Sequence, residues 1–188
     1  MVIGKARGTM IFISGIHGSG KTYFCKQVKE KLGCLTYSAS KLISERKQLE
    51  FTSDKLIPDI EDNQQHLLSA INELNAINPV YLLDGHFCLL NGEGKITRIE
   101  QSTFISLNPE ALVLITEEPE IIVKRLNERD GTKRDKNEIL LFQEEESAYA
   151  TELSVLLGIP LHIYNESNDL NNTLEFIQVQ MRRIQDAR

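Results

Sequence analysis

The sequence predicts an α/β fold in three layers, a five-stranded parallel sheet with helices on both faces. Two observations carry the core of this. Short apolar runs of strand type alternate with helical patterns, and that alternation closes into a parallel sheet covered on both sides. A glycine-rich segment at residues 15–22 stands between the first strand and the first helix, the arrangement of a phosphate-binding loop.

The elements follow in order. Met10–Ser14 is the first strand. Gly15-Ile16-His17-Gly18-Ser19-Gly20-Lys21-Thr22 fits GxxxxGK[ST], the P-loop pattern. Tyr23–Leu32 reads as a helix, with Phe24, Val28 and Leu32 four apart. Leu35–Tyr37 is the second strand, and Ile60–Ile77 a helix with Leu67, Leu68, Ile71 and Leu74 on one face. Val80–Asp84 is the third strand. His86–Arg98 breaks the rhythm: Asn91-Gly92-Glu93-Gly94 is a turn cluster between extended pieces, a hairpin-like excursion. Ala111–Thr116 is the fourth strand, and Pro119–Arg129 a helix with proline in its first turn. Asn137–Leu157 is a long amphipathic helix, Leu161–Tyr164 the fifth strand, and Asn168–Gln185 the last helix.

The loop names its ligand. Its glycines turn successive N–H groups toward phosphate oxygens, Lys21 reaches the β- and γ-phosphates, and the Thr22 hydroxyl ligates Mg²⁺. The helix N-terminus adds its dipole to this anion site. The expected ligands are therefore ATP and Mg²⁺, on a P-loop NTPase fold. Asp84 ends a neighbouring strand, where an acid holds Mg²⁺ directly or through water, although strand-end acids also serve turns. His86 either orients a water or phosphate or is a hydrogen-bonded loop histidine. His17 is expected only to shape the loop.

Lys124 to Asp135 is a second charged constellation, in which Arg125 and Arg129 share a helix face. Arginines stabilise the charge that phosphoryl transfer spreads, and mobile basic segments close over nucleotides. Arg125 and Arg134 are the foremost candidates in this expected lid, set against a merely solvated helix end. Glu146 falls on the apolar stripe marked by Ile139, Phe142, Tyr149, Leu153 and Leu156, so its carboxylate needs a partner. An arginine of the cluster is one expected partner, with the carboxylate facing the nucleotide; the alternative is a solvated acidic helix end.

The 188 residues suit one compact domain spanning 1–188, with 41% hydrophobic and 26% charged residues. A net charge of −6 argues against bulk nucleic-acid binding. No apolar stretch approaches the ~20 residues of a membrane helix, and the first apolar run is too short for a signal peptide. Cys25, Cys34 and Cys88 are scattered, as reduced thiols of a cytoplasmic protein would be.

The loop, the strand Tyr81–His86, the segment Arg125–Asp135 and the helix after it resemble the adenylate-kinase-like nucleoside monophosphate kinases. The resemblance is in particular to archaeal adenylate kinases and the related nuclear adenylate-kinase-like ATPases of ribosome assembly, over nearly the full chain. It implies ATP at Gly15–Thr22, Asp84 holding Mg²⁺ indirectly, and His86 by the acceptor or attacking water. It also implies Arg125, Lys133 and Arg134 at a short lid, and Ser38, Ser40 and their neighbours opening a monophosphate-binding helix. Two departures stand out. The family's acceptor-gripping arginine would fall near Ser44, with Arg46 two residues on. A second such arginine would fall near Glu146. The expected function is Mg²⁺-dependent transfer of the ATP γ-phosphoryl group to a nucleoside monophosphate. The alternatives are an ATPase switch acting with a protein or nucleoprotein partner, or a kinase for a metabolite that carries no phosphate.

Overall fold

The computed structural model describes residues 10–47, 56–57, 60–78, 80–131, 133–165 and 170–187. Strand β1 (Met10–Ser14) leads into α1 (Lys21–Leu32), then β2 (Leu35–Ser38) and α2 (Ala39–Lys47). Next come β3 (Leu56–Ile57), α3 (Ile60–Ile77), β4 (Tyr81–Asp84), β5 (Cys88–Asn91) and β6 (Ile96–Arg98). The chain continues through α4 (Gln101–Leu107), β7 (Ala111–Ile115), α5 (Pro119–Asp130), α6 (Lys136–Leu157), β8 (Leu161–Tyr164) and α7 (Leu170–Asp186).

Five strands form one sheet in the order β2-β4-β1-β7-β8, every pair parallel. Alternate side chains of β1 part to the two faces. Met10 and Phe12 pack with Leu67, Phe104, Leu126 and Phe142 of α3 to α6, while Ile11 and Ile13 pack with Phe24, Val28 and Ile177 of α1 and α7. Both faces of β1 and β7 are therefore buried, which explains their unbroken apolar sequence; β2 and β8, at the edges, are partly exposed. From β1 the chain runs outward past β4 to β2, whereas from β4 it crosses to β7 on the opposite side. Ligands of such sheets bind at this reversal, beyond the carboxyl ends of the strands.

The excursion after β4 is a true hairpin. Cys88 lies opposite Arg98 and Leu90 opposite Ile96, and the Asn91 side chain accepts from Glu93 N and Lys95 N. Strand β3 adds to it in parallel through β5, making a second sheet of order β3-β5-β6. Helix α4 has no counterpart in the sequence reading. Seven residues make two turns, too few for a helical period to register. Helix α6 begins at Lys136, one residue before the expected start, because Asp135 caps it by accepting from Asn137 N and Glu138 N. The expected first residues of the last helix, 168–169, lie outside the described residues.

Candidate active site

Gly15 leaves β1 with φ 148°, and a Cβ there would lie 2.4 Å from the Ile115 carbonyl oxygen, so only glycine fits. Gly18 and Gly20 also have positive φ, at 85° and 98°. Gly20 occupies the N-cap of α1 and provides no side-chain cap, which leaves the first N–H groups of the helix turned toward the loop. Ser19 is buried and its hydroxyl has no partner among the described residues. Lys21 is 8% exposed, and its ammonium donates to Gly15 O at 2.6 Å and Ile16 O at 3.3 Å. Burial pushes its pKa down, opposed by the nearby carboxylates of Asp84 and Glu146. This cradle of N–H groups, one cation and an orphaned hydroxyl fits a polyphosphate.

Parallel register brings Asp84 beside Ile13 on β1 and Ser38 on β2, at the carboxyl edge of the sheet. Burial pushes its carboxyl above the usual range, against the pull of Lys21. Among the described residues no three His, Cys, Asp or Glu side chains cluster as a metal cage. Thr22 and Asp84 on one wall suit Mg²⁺, which takes few protein ligands and completes its shell with phosphate and water. The His17 and His86 rings meet at 4.4 Å between centroids, tilted 54°, across the mouth of the loop. His17 thus has a neighbouring ring in addition to its place in the loop.

Several expected pairings are corrected. Glu146 is wholly buried, but its partners are not arginines. It accepts from the Ser14 hydroxyl, from Phe87 N at 2.9 Å and from Cys88 N at 2.6 Å. Its carboxylate lies beneath the loop and lines none of the cavities described below. Desolvation raises its pKa although these three donors and Lys21 oppose the shift. Sequence spacing gave the need for a partner but not its identity, since the hairpin N–H groups arrive from a distant segment. Arg125 instead pairs with buried Glu117 at 3.1 Å and donates to Gly18 O at 3.3 Å. Glu117 was missed because a lone acid after a strand has no periodic signature.

Most of the segment expected to form a lid is helix. Lys124 to Asp130 belong to α5, which Gly131 ends in the left-handed conformation. Beyond it, Arg134 N donates to Asn127 Oδ1, and the Arg134 guanidinium lies 3.7 Å from Asp130. Arg134 faces a cavity of about 40 Å³ behind the loop, with Leu126, Ile139 and Phe142. Arg46 points to Glu73 of α3 at 2.6 Å and lines none of the three cavities described here. Ser38 and Ser40 do line one and share a hydrogen bond of 3.0 Å.

Two cavities meet at the loop. One of about 510 Å³ is walled by Gly18, Gly20, Tyr23 and Arg125. The other, about 290 Å³, runs under α2, α3 and α4, with Ser38, Asn63, Gln64, Asp84 and His86 among its walls. His17, Lys21, Thr22 and Arg129 line both. Arg129 is held in a two-bond fork by Asp130, at 2.6 and 2.8 Å.

The profile of a family described as "AAA domain" matches residues 14–140. No curated protein matches the sequence. Among solved structures, an unliganded sugar kinase from Janibacter sp. HTCC2649 aligns over 93% of this chain and 95% of its own, at 13% identity and TM-score 0.58. A shikimate kinase from Bacteroides thetaiotaomicron aligns over 93% and 98%, at 15% identity and TM-score 0.56. A gluconokinase from Sinorhizobium meliloti 1021 aligns over 96% and 94%, at 14% identity and TM-score 0.50. At these identities the likeness is one of fold, the three-layer parallel-sheet architecture that the strands and helices build here.

Proposed function

Because this chain belongs to the AAA domain family, we propose that residues 15–22 bind ATP and that the protein transfers its γ-phosphoryl group to a small acceptor, a nucleoside monophosphate. The observation that carries this is the pair of adjoining cavities sharing Lys21, Thr22 and Arg129 at their common rim. The larger opens over the loop and takes the nucleotide; the smaller ends at Asp84 and His86 and takes the acceptor. Lys21 turns from Gly15 O to the β- and γ-phosphates. Thr22 and Asp84 would hold Mg²⁺, whose charge offsets that on the phosphates. Arg129 spans both cavities, where charge develops on the moving group. The kinases among the structural neighbours support transfer to a small molecule.

A second reading, an acceptor without phosphate, is favoured by one observation. Apart from Lys21 and Arg129, no described arginine or lysine lines the smaller cavity, since Arg46 is turned to Glu73. The test measures ADP release from ATP with each common monophosphate, with unphosphorylated sugars, and with ATP alone. Strong stimulation by one monophosphate supports the first reading. Stimulation by an uncharged acceptor replaces it with the second, and a slow acceptor-independent rate points instead to an ATPase switch.

A further inference from the structure

We propose that Asn63 and Gln64, on the first turns of α3, recognise the acceptor through its base: a flat, uncharged heteroaromatic ring with an amide-type edge. The proposal rests on the reading of the smaller cavity as the acceptor side. Both residues line that cavity and are 6% and 8% exposed. No described residue bonds to either side-chain amide, and neither is sealed off from accessible space. Two carboxamides largely withdrawn from bulk water, with no protein partner among the described residues and open to the cavity, keep their donors and acceptors for a ligand bound there. Each carboxamide presents an oxygen acceptor and an N–H₂ donor, the pattern that pairs with a nucleobase edge.

The remaining walls select the shape. Ile43, Leu67, Phe104 and Leu107 give apolar surface around the two amides. A flat ring buries its faces against such walls, whereas a polyol would leave hydroxyls there without partners. The cations, Lys21 and Arg129, stand at the opposite rim with Asp84. The acceptor then lies with its base under α3 and α4 and its phosphoryl-accepting end toward the loop.

Two measurements separate this from the transfer reaction itself. In the first, kcat/KM for AMP, CMP, GMP and UMP is compared with that for ribose 5-phosphate, which lacks only the base. One nucleotide should be preferred, and Asn63→Ala with Gln64→Ala should reduce that preference on the order of tenfold to a hundredfold per carboxamide. A preference left unchanged while all acceptors fall together overturns the base site and leaves the kinase reading intact. Gln64→Glu keeps the side-chain shape and removes the donor. It should change which base is preferred, and an identical order of preference overturns the proposal. In the second, protein saturated with Mg-ADP is titrated calorimetrically with the four nucleosides and with ribose. One nucleoside should bind and ribose should not. Nucleoside binding with no transfer to any monophosphate removes the acceptor assignment but retains the base site; binding of no nucleoside overturns the base site.

Discussion

Asp84 and Glu146 are both carboxyls displaced upward by burial, and they are displaced for different ends. Asp84 opens onto the cavity beside Thr22, so its charge is available to a cation. Asp84→Asn keeps the shape and loses that charge. It should lower turnover by on the order of 10²-fold while changing ATP affinity much less, and normal turnover with normal Mg²⁺ dependence would reassign Asp84 to turn structure. Glu146 is sealed, tying the end of β1 through Ser14 to the start of the hairpin through Phe87 N and Cys88 N. Its raised pKa means that the folded chain binds this proton more tightly than the unfolded chain does. Stability therefore falls as pH climbs from the ordinary glutamate value of about 4.3 through the raised one. In Glu146→Gln that part of the slope should disappear. Urea midpoints across pH 4–8 read it, and parallel profiles for wild type and variant would show that Glu146 titrates normally. Asp84 contributes a slope of the same sign, so the variant profile flattens without becoming level.

Helix α5 and the residues just after it place three arginines at three different sites. Arg125 steadies Gly18 and pairs with Glu117; Arg129, one turn on, reaches both cavities; Arg134, past the Gly131 stop, faces the small space behind the loop. Beyond α5, Arg134 N donates to Asn127 and Asp135 caps α6. Arg129→Ala should therefore cut turnover by on the order of 10²-fold, and Arg134→Ala by no more than about tenfold, each with little change in stability because their ion pairs are partly exposed. The reverse order in steady-state ADP formation would return the transfer role to Arg134. Arg98 shows the same economy at the hairpin. It bridges Glu145 and Glu152 of α6 and lies 4.7 Å over the Tyr149 ring, fixing the hairpin against the helix that carries Glu146.

At the scale of the molecule, the loop stands where the cores on the two faces of the sheet come together. The core on one side holds α1 and α7, that on the other α3 to α6, and both meet at the carboxyl ends of β1 and β4. A ligand bound there to the native state stabilises the whole chain. Mg-ATP at one hundred times its dissociation constant should add about 2.7 kcal/mol to unfolding. Lys21→Ala should lose most of this at the same nucleotide concentration. Thermal melts with and without nucleotide measure it, and equal shifts in the two proteins would show that the loop does not bind the phosphates. Among the described residues no helix is long and apolar enough to cross a membrane.

The five core strands, the P-loop and the long helices were legible in the chain because each is written locally. Burial on both faces forces unbroken apolar runs in β1 and β7, the helical period marks α3 and α6, and positive φ demands the loop glycines. Position within the family pattern also pointed to Ser38 and Ser40. What the chain did not disclose is who meets whom. Glu146 required a partner, yet only folding brought it the hydroxyl of Ser14 and two N–H groups from 58 and 59 residues away. Arg46 and Arg134 carry the charge that a phosphate site needs, but packing turned one to Glu73 and the other behind the loop. Asn63 and Gln64 carried no signal in the sequence; the cavity they line forms only where α2, α3 and α4 come together. Periodicity encodes which face of an element is buried; the neighbours on that face depend on the sheet order and crossing of elements far apart in sequence, which only the assembled fold fixes.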